Sequence, residues 1–332
     1  MKIINIDATV GIPKYKQIVF SVEVAIAENR LKKNDKLPSV NKLSLEFSIS
    51  RDTVLLAYDE LKKRGIIYSI LGKGCYVKSV EFSFEQRIFL LFDELNIFKE
   101  DIYNSFLESM NNVAQVDIYF HHFNIEMFKK LINESNGNYS KYIIMPTNLV
   151  GASALIKLLP KQDVYILDQT NADLKDYPSI HQNFIKDIYD ALLKGKKLID
   201  KYEKLILIFP GFREPLGMKI GFEIFCIDYS IQHDIITEFS GRTIQKGEVY
   251  IIPDDRDLVK VIEKSKFQTL KLGTDFGIIS YNETPLKKVV ENGITTISTD
   301  FNKMGTLLAK MILENGKSQI ENESHLIIRR SL

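Results

Sequence analysis

The sequence predicts a small α+β head of three helices and a β-hairpin, followed by a larger α/β domain built as two lobes. Three observations carry this. Residues 39–77 run through two short helical patterns and then a hairpin pattern around Gly72-Lys73-Gly74. Beyond residue 86, runs of Ile, Leu, Val and Phe alternate with helical patterns, as parallel sheets with crossover helices require. Basic charge is gathered at the front: residues 1–80 hold 14 Lys and Arg against 8 Asp and Glu, and residues 81–332 hold 30 against 35.

The head can be built residue by residue. A first helix, about Tyr15 to Leu31, puts Ile18, Val22, Ala25 and Ile26 on one face. Pro38 stops the next loop, and Ser39 caps a helix whose inner face is Leu43 and Phe47. Ser48-Ile49-Ser50 is a tight turn. Ser50 caps a third helix, with Arg51, Asp52 and Thr53 in its first turn and Val54, Tyr58 and Leu61 facing the core. Gly65 suits a left-handed helix end. Ile66, Ile67, Tyr68 and Ile70 read as a strand, with Cys75-Tyr76-Val77 as its return. This order is that of a winged helix-turn-helix, whose second motif helix enters a major groove.

The outward-facing residues follow from that geometry. The first turn of the recognition helix offers Ser50, Arg51 and Thr53 to base edges, with Arg51 the bidentate reader of guanine. Ser39 and Asn41, opening the preceding helix, hold the nucleic-acid backbone. Lys73, between Gly72 and Gly74 at the wing tip, can approach a minor groove or a phosphate. Lys62, Lys63 and Arg64 are equally well explained as cations favoured in a last helical turn.

Residues 11–78 resemble the head of the GntR family of bacterial transcription regulators. The resemblance rests on Tyr15-Lys16-Gln17-Ile18, Leu37-Pro38-Ser39, Ser50-Arg51-Asp52-Thr53-Val54, Ala57 through Leu61, Gly65 and Gly72-Lys73-Gly74, all at the family's offsets. It implies a partner, double-stranded operator DNA. Two positions depart from the family. Val40-Asn41 stands where Glu-Arg is usual, and Leu55 where an arginine often follows Thr-Val. Two family contacts are thereby weakened or replaced, which implies an unusual operator.

Composition narrows the remaining classes. Of 332 residues, 45% are hydrophobic and 26% charged, enough for two domains with their own cores. No apolar run approaches the roughly 20 residues of a membrane span, and Met1-Lys2-Ile3-Ile4 does not open a signal peptide. Cys75 and Cys226 fall in different domains and read as reduced thiols, so a cytoplasmic protein without membrane contact is expected. No nucleophile elbow, phosphate loop, zinc helix or paired-cysteine motif is present, so neither enzyme activity nor a cofactor or metal is expected. His121-His122, adjacent on a strand, would point to opposite faces.

The domains are expected at 1–78 for the head, 79–86 for a linker and 87–332 for the larger part. Strands are expected at 87–92, 116–120, 142–145 and 164–167 (ending at Asp168), with helices at 99–111, 125–133, 152–159 and 183–200. A second series has strands at 204–209, 249–252, 276–281, 295–298 and 325–329, with helices at 215–229, 255–266 and 300–314. Doubly wound lobes of this kind hold a ligand at the carboxyl ends of their strands.

Residues 87–332 resemble the effector domain of LacI-type regulators and the related periplasmic sugar-binding proteins. The likeness lies in Asp275-Phe276-Gly277-Ile278-Ile279-Ser280-Tyr281-Asn282-Glu283, and in Thr295-Thr296-Ile297-Ser298 leading to Met304-Gly305-Thr306-Leu307-Leu308-Ala309. It implies a two-lobed, periplasmic-binding-protein-like fold. Strand-end polar groups would hydrogen-bond a sugar: Asp93, Asn96, Asn124 and Asp168 in one lobe, and Asp254, Asp255 and Asn282 in the other. Phe98 or Phe123 would cover its apolar face. Met218-Lys219 replaces the family arginine expected before Gly221-Phe222, leaving Arg213 or Lys219 to substitute, and Gly241–Gly247 is short for the helix usual there. Each polar residue can instead cap a helix, Asp254 and Asp255 above all. Together the two resemblances imply a homodimeric repressor of carbohydrate-utilisation genes, controlled by a monosaccharide or derivative. The alternative is a larger domain that only assembles oligomers or binds a non-sugar effector.

Overall fold

The computed structural model describes residues 3–7, 12–80, 86–111 and 114–332. The chain divides into two compact units: Met1–Leu91 with Asn112–Ile144 and Gly151–Tyr165, and Phe92–Asn111 with Met145–Val150 and Ile166–Leu332.

The first unit opens with α1 (Lys14–Ala27), α2 (Val40–Phe47) and α3 (Arg51–Lys63), then the antiparallel hairpin β1 (Ile67–Ile70) and β2 (Gly74–Val77). The local signals act as expected. Ser39 Oγ accepts from the Lys42 N–H, Ser50 Oγ accepts from the Thr53 N–H, and Gly65 follows α3 at φ +71°. Ile18, Val22, Ala25, Val54, Ala57, Leu61 and Val77 are sealed from solvent in one core with Leu43 and Tyr58. Burying each large aliphatic here stabilises the head by about 1.5–3 kcal/mol. Phe47 is only half-buried at the margin of this core. Of the expected linker, residues 81–85 lie outside the described residues.

The α/β part continues with β3 (Gln86–Phe92), α4 (Ile97–Met110), β4 (Ala114–Phe120), α5 (Ile125–Ser135), β5 (Lys141–Ile144), α6 (Ala152–Ile156), β6 (Val164–Asp168) and β7 (Ser179–His181). It then runs through α7 (Phe184–Ile199), β8 (Lys204–Ile208), α8 (Leu216–Asp228), β9 (Gln232–Ile236), β10 (Glu248–Ile252), α9 (Asp255–Phe267), β11 (Gly277–Tyr281) and α10 (Pro285–Val289). The series closes with β12 (Thr295–Thr299), α11 (Phe301–Leu313), β13 (Gln319–Glu321) and β14 (Ser324–Ile327). One sheet has the order β13-β7-β6-β5-β3-β4 and the other β14-β12-β11-β10-β8-β9. The second is parallel except where β14 runs against β12.

Strands covered on both faces explain the unbroken apolar runs in the sequence. In β8, Leu205 and Leu207 join one core, with Phe222 and Phe225, while Ile206 and Ile208 join the opposite one, with Val261 and Ile262. β10 divides the same way, Val249 and Ile251 against Tyr250 and Ile252. Helices α4 and α11 meet at Gly305, where a Cβ would overlap the Ser105 side chain and the Ile102 carbonyl. Residues 237–247 hold no helix, in keeping with their shortness.

One buried acid makes the second unit pH-sensitive. Asp187 on α7 is 5% exposed; its Oδ1 accepts from the Ser324 N–H at 3.2 Å, and its Oδ2 has no hydrogen-bond partner among the described residues. Burial pushes its carboxyl up to about 6, against the pull of the Ser324 and Asn183 backbone N–H groups. The folded state therefore binds this proton more tightly than the unfolded chain. The stability cost is absent below the unfolded pKa and fully present once pH has risen through about 6. Asp187→Asn should remove about 1–3 kcal/mol of that pH dependence. Urea unfolding between pH 4 and 8 measures this, and an unchanged slope would contradict it.

Candidate functional site

In the head, the residues expected to meet nucleic acid all lie at the surface except Thr53, which is half-buried. Ser39 and Ser50 cap their helices, and the Ser50 and Thr53 hydroxyls bond each other at 2.8 Å. Their first task is therefore to shape the helix ends, which leaves one hydroxyl hydrogen bond fewer for a base or phosphate. Arg51, Asn41 and Lys73 are different: their side chains are exposed and make no hydrogen bond or ion pair with another described residue. Gly72 and Gly74 hold φ +75° and +112°, a backbone that only glycine adopts without strain, and so fix Lys73 at the tip.

In the second unit, the structure gathers Asp93, Asn96 and Asp168 around a residue the sequence reading passed over, Lys99. Asp93 follows β3, Asp168 ends β6 in a left-handed turn (φ +68°), and Asn96 caps α4, accepting from the Lys99 N–H at 3.1 Å. The Lys99 ammonium lies 3.4 Å from Asp168 Oδ2 and 3.6 Å from Asp93 Oδ1, and all three residues are buried. Burial alone would depress Lys99, but the charges of Asp168 and Asp93, with a hydrogen bond to each, outweigh it and raise its pKa. The triad carries one net negative charge.

A polar chain leads on from it. Gln182 Nε2 donates to Asp168 Oδ1 at 2.5 Å, the Thr299 hydroxyl donates to Gln182 Oε1 at 2.7 Å, and Thr299 and Ser324 share a 2.6 Å hydroxyl bond. Phe98 stacks obliquely on Phe301, with ring centroids 5.1 Å apart. Thr147, just beyond β5, is β-branched yet held at φ +50°, and its buried hydroxyl has no hydrogen-bond partner among the described residues. A strained backbone and an unspent hydroxyl thus coincide just beyond this strand end.

The other expected residues are placed differently. Arg213 donates to Glu94 at 2.8 Å, and Glu94 also accepts from Asn96. Asp255 pairs with Lys287 at 2.8 Å, and the Lys287 ammonium also donates to the carbonyls of Tyr281 and Asn282. Burial lowers the Lys287 pKa even though Asp255 opposes it. Asp254 caps α9 through the Arg256 N–H. Asn124 caps α5 through the Met127 N–H and belongs to the other unit. Lys219 pairs with Glu223. Asn96, Asn124 and Asp254 thus have a structural duty that the sequence reading allowed for.

Residues 14–77 match the model of the bacterial regulatory proteins, gntR family. The head is a GntR-family helix-turn-helix domain. Over 82 residues the chain is 38% identical to the mannosyl-D-glycerate transport/metabolism system repressor MngR of Escherichia coli, a match covering 25% of this chain and 34% of that one. The chain spans well under two thirds of the curated relatives it matches, 28% to 57% of the first three. Beyond the GntR head, the fold is that of LacI-type regulators. The Lac repressor bound to ONPG in its repressed state aligns with a TM-score of 0.62 at 14% identity, covering 85% of this chain and 90% of the other. A periplasmic binding protein/LacI transcriptional regulator from Alkaliphilus metalliredigens, complexed with D-xylulofuranose, aligns at 0.58 with 14% identity, covering 74% and 98%. No helix of the described residues is long and apolar enough to cross a membrane.

Proposed function

We propose that this chain is a sequence-specific DNA-binding transcription regulator, acting as a homodimeric repressor whose operator affinity is set by a small, uncharged, hydroxyl-rich ligand. The observation that carries the ligand class is the buried Asp93–Lys99–Asp168 triad. Carboxylates accept from sugar hydroxyls, and an ammonium already held by two carboxylates has little left for an anion. Arg213 and Lys287 are likewise matched to Glu94 and Asp255. A sugar phosphate would have to displace one of these acids, whereas a neutral monosaccharide need only join the network.

D-xylulofuranose, the ligand in the name of one structural neighbour, is a neutral sugar and supports a carbohydrate effector. Paired heads would read the two half-sites of a palindrome, Arg51 in each major groove. If the ligand is an inducer, operator DNA must weaken it by the factor by which it weakens the operator.

A thermal-shift screen of the full chain against monosaccharides and their phosphates tests the reading. A ligand at a hundredfold excess over its Kd should stabilise the protein by about 2.7 kcal/mol, and the free sugar should outdo its phosphate. Stabilisation by phosphorylated sugars alone would refute the neutral-ligand assignment. A flat screen would favour a domain that serves assembly.

A further inference from the structure

We infer that the cavity between α7 and β14 is a second ligand site, where Asp187 takes a primary ammonium group. This site is separate from the triad and does not depend on the sugar reading, and every residue in it lies in the second unit. The cavity, of about 250 Å³, is lined by Asp187, Asp190 and Lys194 of α7 and by Glu323, Ser324 and His325. Asp187 is 5% exposed; its Oδ1 takes the Ser324 N–H, while its Oδ2 is buried with no hydrogen-bond partner among the described residues. A buried carboxylate with an unused oxygen calls for a donor.

The nearby groups do not supply one. Lys186, which also lines the cavity, is held by Glu321 at 2.7 Å. Lys194 lies two turns along α7, about 10 Å by helical rise, and forms no ion pair with a described residue. From β11, the Tyr281 hydroxyl feels the Asp187 charge, yet it has no hydrogen-bond partner among the described residues either. With Lys186 neutralised by Glu321, the lining sets three carboxylates against one ammonium, so a cation is drawn in and an anion is turned away.

The single unused oxygen selects the kind of cation. A guanidinium fork prefers both carboxylate oxygens, and a hard metal ion takes several oxygens at once. No group of three His, Cys, Asp or Glu among the described residues could hold such an ion. An ammonium can donate to one carboxylate oxygen through a single N–H. Ser324 also shares a hydroxyl bond with Thr299, so the site stands at the far end of the polar chain that begins at the triad.

The test follows thermal unfolding of the full chain at pH 8 with methylammonium, putrescine or glycine. Tetramethylammonium at equal ionic strength is the control, because it carries the charge without an N–H. At least one primary ammonium compound should raise the Tm where the control does not, and the strongest identifies the source as an amine or an amino acid. Asp187→Asn removes a buried charge and keeps the shape, so the variant should fold. Its affinity for that compound should fall about tenfold to a hundredfold, the worth of a hydrogen bond to a charged group. Asp200→Asn, an acid of the same helix outside the cavity, should leave it unchanged. Because burial pushes the Asp187 carboxyl up to about 6, wild type at pH 5 should bind about tenfold more weakly than at pH 8. Equal stabilisation by tetramethylammonium, a response that survives Asp187→Asn, or no response to any primary ammonium overturns the assignment.

Discussion

Lys99→Met is expected to destabilise the protein by about 3–5 kcal/mol at neutral pH, the cost of breaking a buried ion pair from one side. Methionine fills much the same volume, so packing is largely kept and charge is what changes. Asp93 and Asp168, 6% and 5% exposed, would be left facing each other without their shared cation. The Gln182 amide on Asp168 and the Glu94 N–H on Asp93 remain, but they supply no positive charge. The sign with pH follows. Two buried like charges take up a proton more readily folded than unfolded, so the deficit should shrink as pH falls from 7.5 toward 4.5. Urea unfolding at those two pH values tests it. A loss below about 1 kcal/mol that is the same at both would mean that the triad is energetically loose.

Arg51→Ala carries the largest expected effect on DNA. A bidentate guanine contact is worth about 1–3 kcal/mol of discrimination, so affinity for a site selected from random sequence should fall roughly tenfold to a hundredfold. Binding to random duplex should fall much less, because many phosphate contacts share that work. Stabilisation by a sugar ligand should be unchanged, since Arg51 lies on the surface of the head and the triad in the other unit. Fluorescence anisotropy with specific and scrambled duplexes separates these quantities. Equal affinity of variant and wild type for the selected site would show that α3 is not the reading helix.

How much of this was legible in the sequence depends on how local the cause is. The caps Ser39 and Ser50 and the turn at Gly65 act within four residues, and the structure places all three as read. The central strands were legible because burial on both faces leaves only apolar residues to choose from. β9 was not: Gln232-His233-Asp234 is polar because this edge strand pairs only with β8. β7 and β13, three residues each, are too short to show any period. Among the candidate residues, the strand-end positions of Asp93 and Asp168 were legible, because polar residues that close apolar runs stand out. Lys99 was missed because a lysine in the first turn of a helix looks solvated. Gln182 and Thr299 were missed because their partnership joins positions 117 residues apart. Only the fold brings such pairs together.

The strands β13 and β14 have a consequence for the order in which the chain matures. They occupy residues 319–327, yet one completes an edge of the first sheet and the other an edge of the second. Ser331 then bonds Ile278 and Thr295 from the same late segment. The head, by contrast, closes its core by Val77. At a ribosomal pace of roughly 5–20 residues per second, the gap between the two events is on the order of ten to fifty seconds. Throughout that interval each nascent chain has α3 synthesised and its two sheets unfinished. The segment that would read DNA is thus made well before the strands that close the two sheets.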